Sequence, residues 1–318
     1  MKYQPMDSSK TPRFCGLRTF MRLPHVKTTE DVDFVVVGVP FDTGASFRSG
    51  ARFGPQSVRE TSVLLRPYNM EMDVNIFDYC SGVDYGDLDV VPGYIHETYD
   101  LMVKQLKPIY EAGVVPLCIG GDHSITLGEL RAIKEVRGPV ALIHFDSHTD
   151  TWDNYWGMKY THGTPFRRAF EEGCLIGDKT IQVGMRGPLY QPGDVNDSRD
   201  MGFEVLTAGD IHRKGIEYTA EMIQKTVGDT PVLVSFDIDF LDPAYAPGTG
   251  TPEICGFTTW EACELIRKGL RGLNIVGFDL VEVAPSLDAG EITSFAASGI
   301  LFEFISILAD KKKMQFNK

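Results

Sequence analysis

The sequence lacks paired cysteines. Its six, Cys15, Cys80, Cys118, Cys174, Cys255 and Cys263, are scattered with no C-x-x-C pair. That spacing excludes a zinc ribbon and reads as reduced thiols in a cytosolic enzyme, several of them core filler. Positive charge is also short: 31 Lys and Arg against 44 Asp and Glu leave a formal net charge of −13. Nucleic acid needs a cationic face, so it is not an expected partner. Uninterrupted apolar runs of about 18 residues are missing, so a membrane span is not expected. The start, "MKYQPMDSSKTPRF", has no apolar segment of the kind a secretory signal needs. The glycine-rich stretch "GASFRSGARFG" (44–54) carries neither G-x-G-x-x-G nor G-x-x-x-x-G-K-[ST]. It is therefore neither a dinucleotide fingerprint nor a P-loop, and reads either as a turn or as a loop at the mouth of a site.

What the chain has in abundance is alternation. "DFVVVGVPF" (33–41), "VVPLCIGG" (114–121), "PVALIHFD" (139–146), "TIQVGMRG" (180–187), "PVLVSFDID" (231–239) and "LNIVGFDLVEV" (273–283) read as buried strands. Amphipathic segments lie between and after them, at 94–112, 124–137, 216–227, 258–270 and 292–310. Strand-helix alternation over most of 318 residues predicts an α/β fold, a parallel sheet with helices on both faces. No linker or composition break divides it, so one domain spanning 1–318 is expected, with 1–30 as an extension packing on it or on a neighbouring subunit. Ligand sites in such sheets gather at the carboxyl ends of strands.

Three stretches pass that test. "HFDSHTD" (144–150) spaces Asp146, His148 and Asp150 two apart behind an apolar run. If the backbone stays extended, all three point to one side, whereas a helix would scatter them. "SFDIDFLDP" places Asp237 and Asp239 at another strand end, and "IGGDHS" places His123 at a third. A lone D-x-D behind a strand is usually turn chemistry or a helix cap. Two carboxylates and an imidazole converging in a buried site repel unless a cation joins them. Four carboxylates balance two divalent ions, and oxygen-rich ligation with imidazole suits Mn²⁺ better than structural Zn²⁺.

The blocks "GGDHS" (120–124), "FDSHTD" (145–150), "HGTPFRRA" (162–169), "SFDIDFLDPAYAPGTGTPE" (235–253) and "DLVEVAP" (279–285) resemble the signature blocks of the ureohydrolase (arginase/agmatinase) family, in its agmatinase branch. The resemblance runs from residue 12 to near the C-terminus. It implies a three-layer αβα fold of the arginase type with a mostly parallel sheet, and a binuclear Mn²⁺ centre, with Ni²⁺ as the alternative. His123, Asp146, Asp150 and Asp237 would bind one ion, and Asp146, His148, Asp237 and Asp239 the other. It further implies that His162 shuttles protons and that Glu282 holds the substrate guanidinium. Read alone, His162 is a loop histidine and Glu282 is equally a cap. The family usually has alanine where Ser147 stands. That side chain is expected to point away from the metals and to add a supporting hydrogen bond at most.

The implied reaction is attack of a metal-bridging hydroxide on a guanidinium carbon, with Asp150 accepting a proton and urea and an amine leaving. Family substrates are agmatine and ω-guanidino acids, with free guanidine a further option. A single-zinc deacetylase and a non-catalytic family member are the competing classes, and the complete ligand set argues against both. "TWDNYWGMKYT" (151–161) places Trp152, Tyr155 and Trp156 at the expected pocket entrance, either as loop packing or as an aromatic wall for the substrate. A carboxylate tail would need Arg48, Lys159 or Arg186. The resemblance also implies a homo-oligomer, a hexamer or trimer, and the cytoplasm is the expected location.

Overall fold

The computed structural model describes residues 1–191 and 193–316. Eight strands form its main sheet: β1 (Phe34–Val39), β2 (Gly82–Asp87), β3 (Val115–Gly120), β4 (Val140–Phe145), β5 (Leu175–Met185), β6 (Glu204–Thr207), β7 (Val232–Asp237) and β8 (Ile275–Val281). Their spatial order is β2-β1-β3-β8-β7-β4-β5-β6, and every pairing is parallel.

The pleat of β1 shows why β-branched runs build this sheet. Phe34 and Val36 enter one hydrophobic cluster, and Val35, Val37 and Val39 enter the other. Both faces are buried, so alternation disappears from the sequence and an unbroken apolar run remains. One face is covered by helices α1 (Gly54–Ser62), α5 (Ala208–Val227), α6 (Thr259–Gly269) and α7 (Ile292–Phe316). The other carries α2 (Ile95–Glu111), α3 (Ile125–Arg137) and α4 (Pro165–Glu171). Helix α7 is long and apolar enough to cross a membrane, yet 72% of its apolar window is buried within the protein, as befits a core helix.

The six strands expected from sequence are the six interior strands. The two it missed, β2 ("GVDYGD") and β6 ("EVLT"), are the two edges. An edge strand is short or polar because it must not template further pairing. Residues 24–26 run along β2: Asp84 N–H donates to Pro24 O at 3.0 Å and Val26 N–H to Asp84 O at 3.2 Å. The extension is tied there too, with Phe20 N–H on Asp84 Oδ2 at 2.8 Å.

Other boundaries moved. Helix α5 begins at Ala208 rather than 216, because Thr207 and Asp210 form a capping box and the chain kinks at Gly215. Helix α1 starts where the glycine-rich stretch ends, with Pro55 in its first turn. Helices α4 and 193–200 were also unforeseen; each is too short for a periodic signal.

Candidate metal centre and active site

The four central strands β3, β8, β7 and β4 stand side by side, and each delivers site residues at its carboxyl end. His123 lies three residues past β3, Glu282 directly follows β8, Asp237 ends β7, and Asp146 directly follows β4. The β3 turn depends on Gly121, where a Cβ would overlap the Phe41 carbonyl. Glu282 is held at φ 65°, its N–H donating to Gly121 O at 2.8 Å. Positive φ at a glutamate is strained, and such strain concentrates at functional sites.

Asp146, His148 and Asp150 do converge, but not through a strand pleat. Strand β4 stops at Phe145, residues 146–148 bend, and Asp150 takes φ 49°. The bend is closed by His148 N–H donating to Asp146 Oδ1 at 2.6 Å. Likewise Asp239 lies in a 3₁₀ turn (Ile238–Phe240), with its N–H on Asp237 Oδ1 at 2.8 Å. Local hydrogen bonds to the carboxylates themselves replace the extended backbone assumed from the spacing.

Around His123 Nδ1 lie Asp146 Oδ2 and Asp150 Oδ2, both at 3.0 Å, and Asp237 Oδ2 at 3.3 Å. Around His148 Nδ1 lie Asp239 Oδ2 at 3.1 Å and Asp146 Oδ1 at 3.4 Å. Asp146 thus faces both imidazoles, one oxygen to each. The hydrogen-bond network orients these groups. Ser235 Oγ donates to Asp279 Oδ1 at 2.7 Å, so it accepts from His123 Nε2 at 2.8 Å. That leaves Nδ1 of His123 as the lone-pair nitrogen facing the carboxylates.

One residue of the motif was passed over. His144, the first letter of "HFDSHTD", is fully buried, with Nε2 2.8 Å from Asp146 Oδ2 and Nδ1 3.0 Å from Gln182 Nε2. It sits two residues before Asp146, so the same i, i+2 argument reached it. Ser147 makes the supporting hydrogen bond expected of it, its hydroxyl donating to Asp239 Oδ1 at 2.8 Å, but it does so by turning toward the cluster, with His148 Nδ1 3.1 Å away. Ser235 and Asp279 behind His123, and Gln182 behind His144, had no sequence signal, because a lone serine, aspartate or glutamine on a buried strand is not a motif.

The donor set fits divalent metal. His123 Nδ1 and Asp239 Oδ2 are buried without a hydrogen-bond partner, and both face the cluster. Most buried polar atoms in proteins are paired, and two unpaired ones facing a single cluster mark a missing partner there. The cluster also draws in positive charge. Burial disfavours the His123 imidazolium, yet Asp146, Asp150 and Asp237 raise its pKa well above the ordinary value. Burial and the nearby Asp239 and Asp146 push the Asp237 carboxyl well up. Two ligand groups emerge: His123, His144, Asp146 and Asp150, and Asp146, His148 and Asp239.

His162 is wedged beside this centre. Its Nδ1 is 2.9 Å from Glu282 Oε1, and its Nε2 accepts from Ser46 N–H at 3.0 Å with Ser46 Oγ at 2.6 Å. Burial opposes the imidazolium, but Glu282 outweighs it and raises the His162 pKa to about 9. The Ser46 N–H works the other way, since it needs a lone pair on Nε2. A neutral ring in this arrangement would therefore carry its proton on Nδ1, toward Glu282. Ser46 belongs to the glycine-rich stretch 44–54, which is thereby a loop at the mouth of the site.

A cavity of about 770 Å³ opens above, lined at its base by Ser147, His148, Asp150, Asp237, His162 and Ser46. Its rim is aromatic. Trp152 packs, with tilted rings, between Tyr155 (4.5 Å between centroids) and Tyr190 (5.3 Å), and Tyr155 packs on Trp156 (5.5 Å). The expected aromatic residues therefore line the cavity and pack on one another at once. The three candidate cations serve other ends. Arg186 spends its donors on backbone carbonyls, Arg48 bonds Gly250 O and Thr249 O, and Lys159 is exposed outside the lining.

Comparison with known proteins agrees with this geometry. The arginase family model matches residues 32–306. Guanidinobutyrase of Pseudomonas aeruginosa is 44% identical over 309 residues, covering 96% of this chain and 97% of that one. Mitochondrial agmatinase of Gallus gallus is 44% identical over 310 residues, covering 98% and 91%. The solved structure of proclavaminate amidino hydrolase from Streptomyces clavuligerus superposes with a TM-score of 0.90 at 40% identity, over 95% of this chain and all of that one. The chain belongs to the arginase family.

Proposed function

We propose that this protein hydrolyses the guanidino group of a small guanidino compound, agmatine or an ω-guanidino acid, to urea and an amine. The observation that carries this is the convergence of four strand ends on buried donors, two of which, His123 Nδ1 and Asp239 Oδ2, have no partner. His123, Asp146, Asp150 and Asp237 would hold one divalent ion, and Asp146, His148, Asp237 and Asp239 the other. Four carboxylates against two imidazoles favour a pair of Mn²⁺ ions, with Ni²⁺ as the alternative. Such a pair supplies a water acidic enough to attack near neutral pH.

The chain's own residues do the rest. Glu282 Oε1 is occupied by His123 N–H and His162 Nδ1, each at 2.9 Å. Its second oxygen is left for a guanidinium N–H, and departure of His162 would free Oε1 to take part in a forked pair. His162 lines the cavity and Glu282 does not, so His162 must shift for a guanidinium to reach Glu282. Freed of Glu282, the ring can take up a proton on Nε2 from cavity water and give the one on Nδ1 to the departing amine, returning to the neutral form. Asp150, at the cavity base, would take the proton released by the attacking water. We place the enzyme in the cytoplasm as a hexamer or trimer, one domain per chain, with residues 1–30 as its extension.

The test is a urea-release screen across agmatine, guanidino acids, arginine and guanidine with Mn²⁺ and Ni²⁺, alongside metal analysis. Urea and close to two metals per chain are expected. Acetate release with a single zinc, or no urea from any guanidine, overturns the reading.

A further inference from the structure

We propose that Ser46 is the relay through which His162 regains its proton: its hydroxyl hands a proton to Nε2 and draws the next one from cavity water. The inference rests on the hydrolase reading above and adds a positioning residue to the proton path of that reaction.

Both ring nitrogens of His162 are engaged. Nδ1 faces Glu282 Oε1 at 2.9 Å. Nε2 accepts from Ser46 N–H at 3.0 Å, and Ser46 Oγ lies 2.6 Å from it. His162 is only 8% exposed, so a proton bound for Nε2 arrives by way of the residue that covers it. Among the described residues Ser46 Oγ bonds only to Nε2, and Ser46 lines the cavity. The remaining lone pair of the hydroxyl is therefore open to water.

The loop is built to hold this contact. Gly44 N–H donates to Asp122 Oδ2 at 2.7 Å, and Gly44 O accepts from His162 N–H at 3.0 Å. A Cβ on Gly44 would lie 2.9 Å from Ser124 Oγ and 3.0 Å from Asp122 Oδ2, so glycine permits the approach. Beyond Ser46, Arg48 bonds Gly250 O at 3.0 Å and Thr249 O at 2.9 Å. Anchors on both sides fix Ser46 against the ring. The backbone N–H would suffice to hold Nε2, so the hydroxyl has a separate use.

The step balances. As the guanidinium displaces the ring from Glu282, the Ser46 O–H bond breaks and an Nε2–H bond forms. Oγ takes a proton from cavity water and remains a neutral hydroxyl. The charged ring gives its Nδ1 proton to the departing nitrogen and is neutral again. Solvent recovers the proton it lent from Asp150, which accepted one from the attacking water. The second hydrogen gained by the departing nitrogen is the other proton of that water. Water in the emptied cavity then restores the Nδ1–H tautomer.

The test measures urea release by the Mn²⁺-loaded enzyme from agmatine and 4-guanidinobutanoate, using whichever is hydrolysed faster. Ser46→Ala keeps the backbone N–H and loses the hydroxyl. Its kcat should fall about tenfold, less than the about 10²- to 10⁴-fold of a complete general acid, with KM little changed. Ser46→Thr should recover most of the rate. In a His162→Asn background, Ser46→Ala should cost nothing further, because the relay then has no ring to serve. A merely structural serine would cost the same in both backgrounds. Unchanged kcat in Ser46→Ala, a loss carried by KM, a Ser46→Thr no better than Ser46→Ala, or full additivity with His162→Asn overturns the relay alone. If no guanidine yields urea, the hydrolase reading falls with it.

Discussion

Beneath the cavity His123, Asp146 and Asp239 are buried, and each is held by a partner on a sheet strand or on the bend that follows one. At the rim Trp156 is 75% exposed and Tyr190 85% exposed, and they are held chiefly by one another's neighbours. The base rests on four adjacent strands, the rim on the loops 151–161 and 186–191. Chemistry that needs ligands fixed to a few tenths of an ångström stands on the rigid sheet. Selection among tails of different length and charge stands on loops that can change without disturbing it.

The contrast can be broken most sharply at the base. Asp237→Ala should lose metal and activity together, with urea release falling by about 10³-fold or more, because it strips a ligand from the centre and leaves its neighbours' charges unbalanced. Metal analysis and a urea assay check it; a variant that keeps two metals and most activity would refute the centre. Glu282→Gln is the next largest. It should retain metal and lose about 10²-fold in kcat/KM, since a neutral amide holds a guanidinium poorly. A variant that instead sheds metal would make Glu282 part of the centre.

One step further from the ions, Asp279→Asn should weaken metal affinity about 10- to 100-fold through Ser235 and His123, as loss of a supporting hydrogen bond does. Competition with a chelator measures it, and unchanged affinity would remove Asp279 from the chain of support. Trp156→Ala at the rim should be smallest. Stability should change by no more than about 0.5 kcal/mol, as for exposed positions. KM for a cationic tail should rise by about tenfold or less, in keeping with one ring face. If the loop instead excludes long guanidines, the same variant should gain activity on them. Unchanged kinetics on every substrate would show that this ring neither binds nor gates.

Legibility followed the same division. The six interior strands were readable because burial on both faces demands continuous β-branched runs such as "VVVGV". The edges β2 and β6 were not, because half of their environment is solvent or loop. The convergence of Asp and His at the base was readable because these residues recurring at strand ends have no bland explanation together. His144 was overlooked in the same motif, and Ser147 was given the wrong direction, since a bend at 146–148 turns it onto Asp239. The cationic candidates for a tail failed for a different reason. Arg48 and Arg186 are arginines in the right segments, but spacing cannot tell that their donors are already taken by carbonyls.

The sequence by itself determined the order of strands along the chain, the residue types at their ends and, through the alternation of carboxylate and imidazole, that the site holds cations. Those properties follow from local pattern and charge, which a linear string records. The tertiary structure alone decided that β3, β8, β7 and β4 are neighbours, so that His123 and Glu282, 159 positions apart, share a hydrogen bond. It alone decided that His162 covers Glu282, and that Arg186 turns its donors to backbone carbonyls. Which donor meets which acceptor depends on strand adjacency and backbone bends, and neither is written in the spacing of residues.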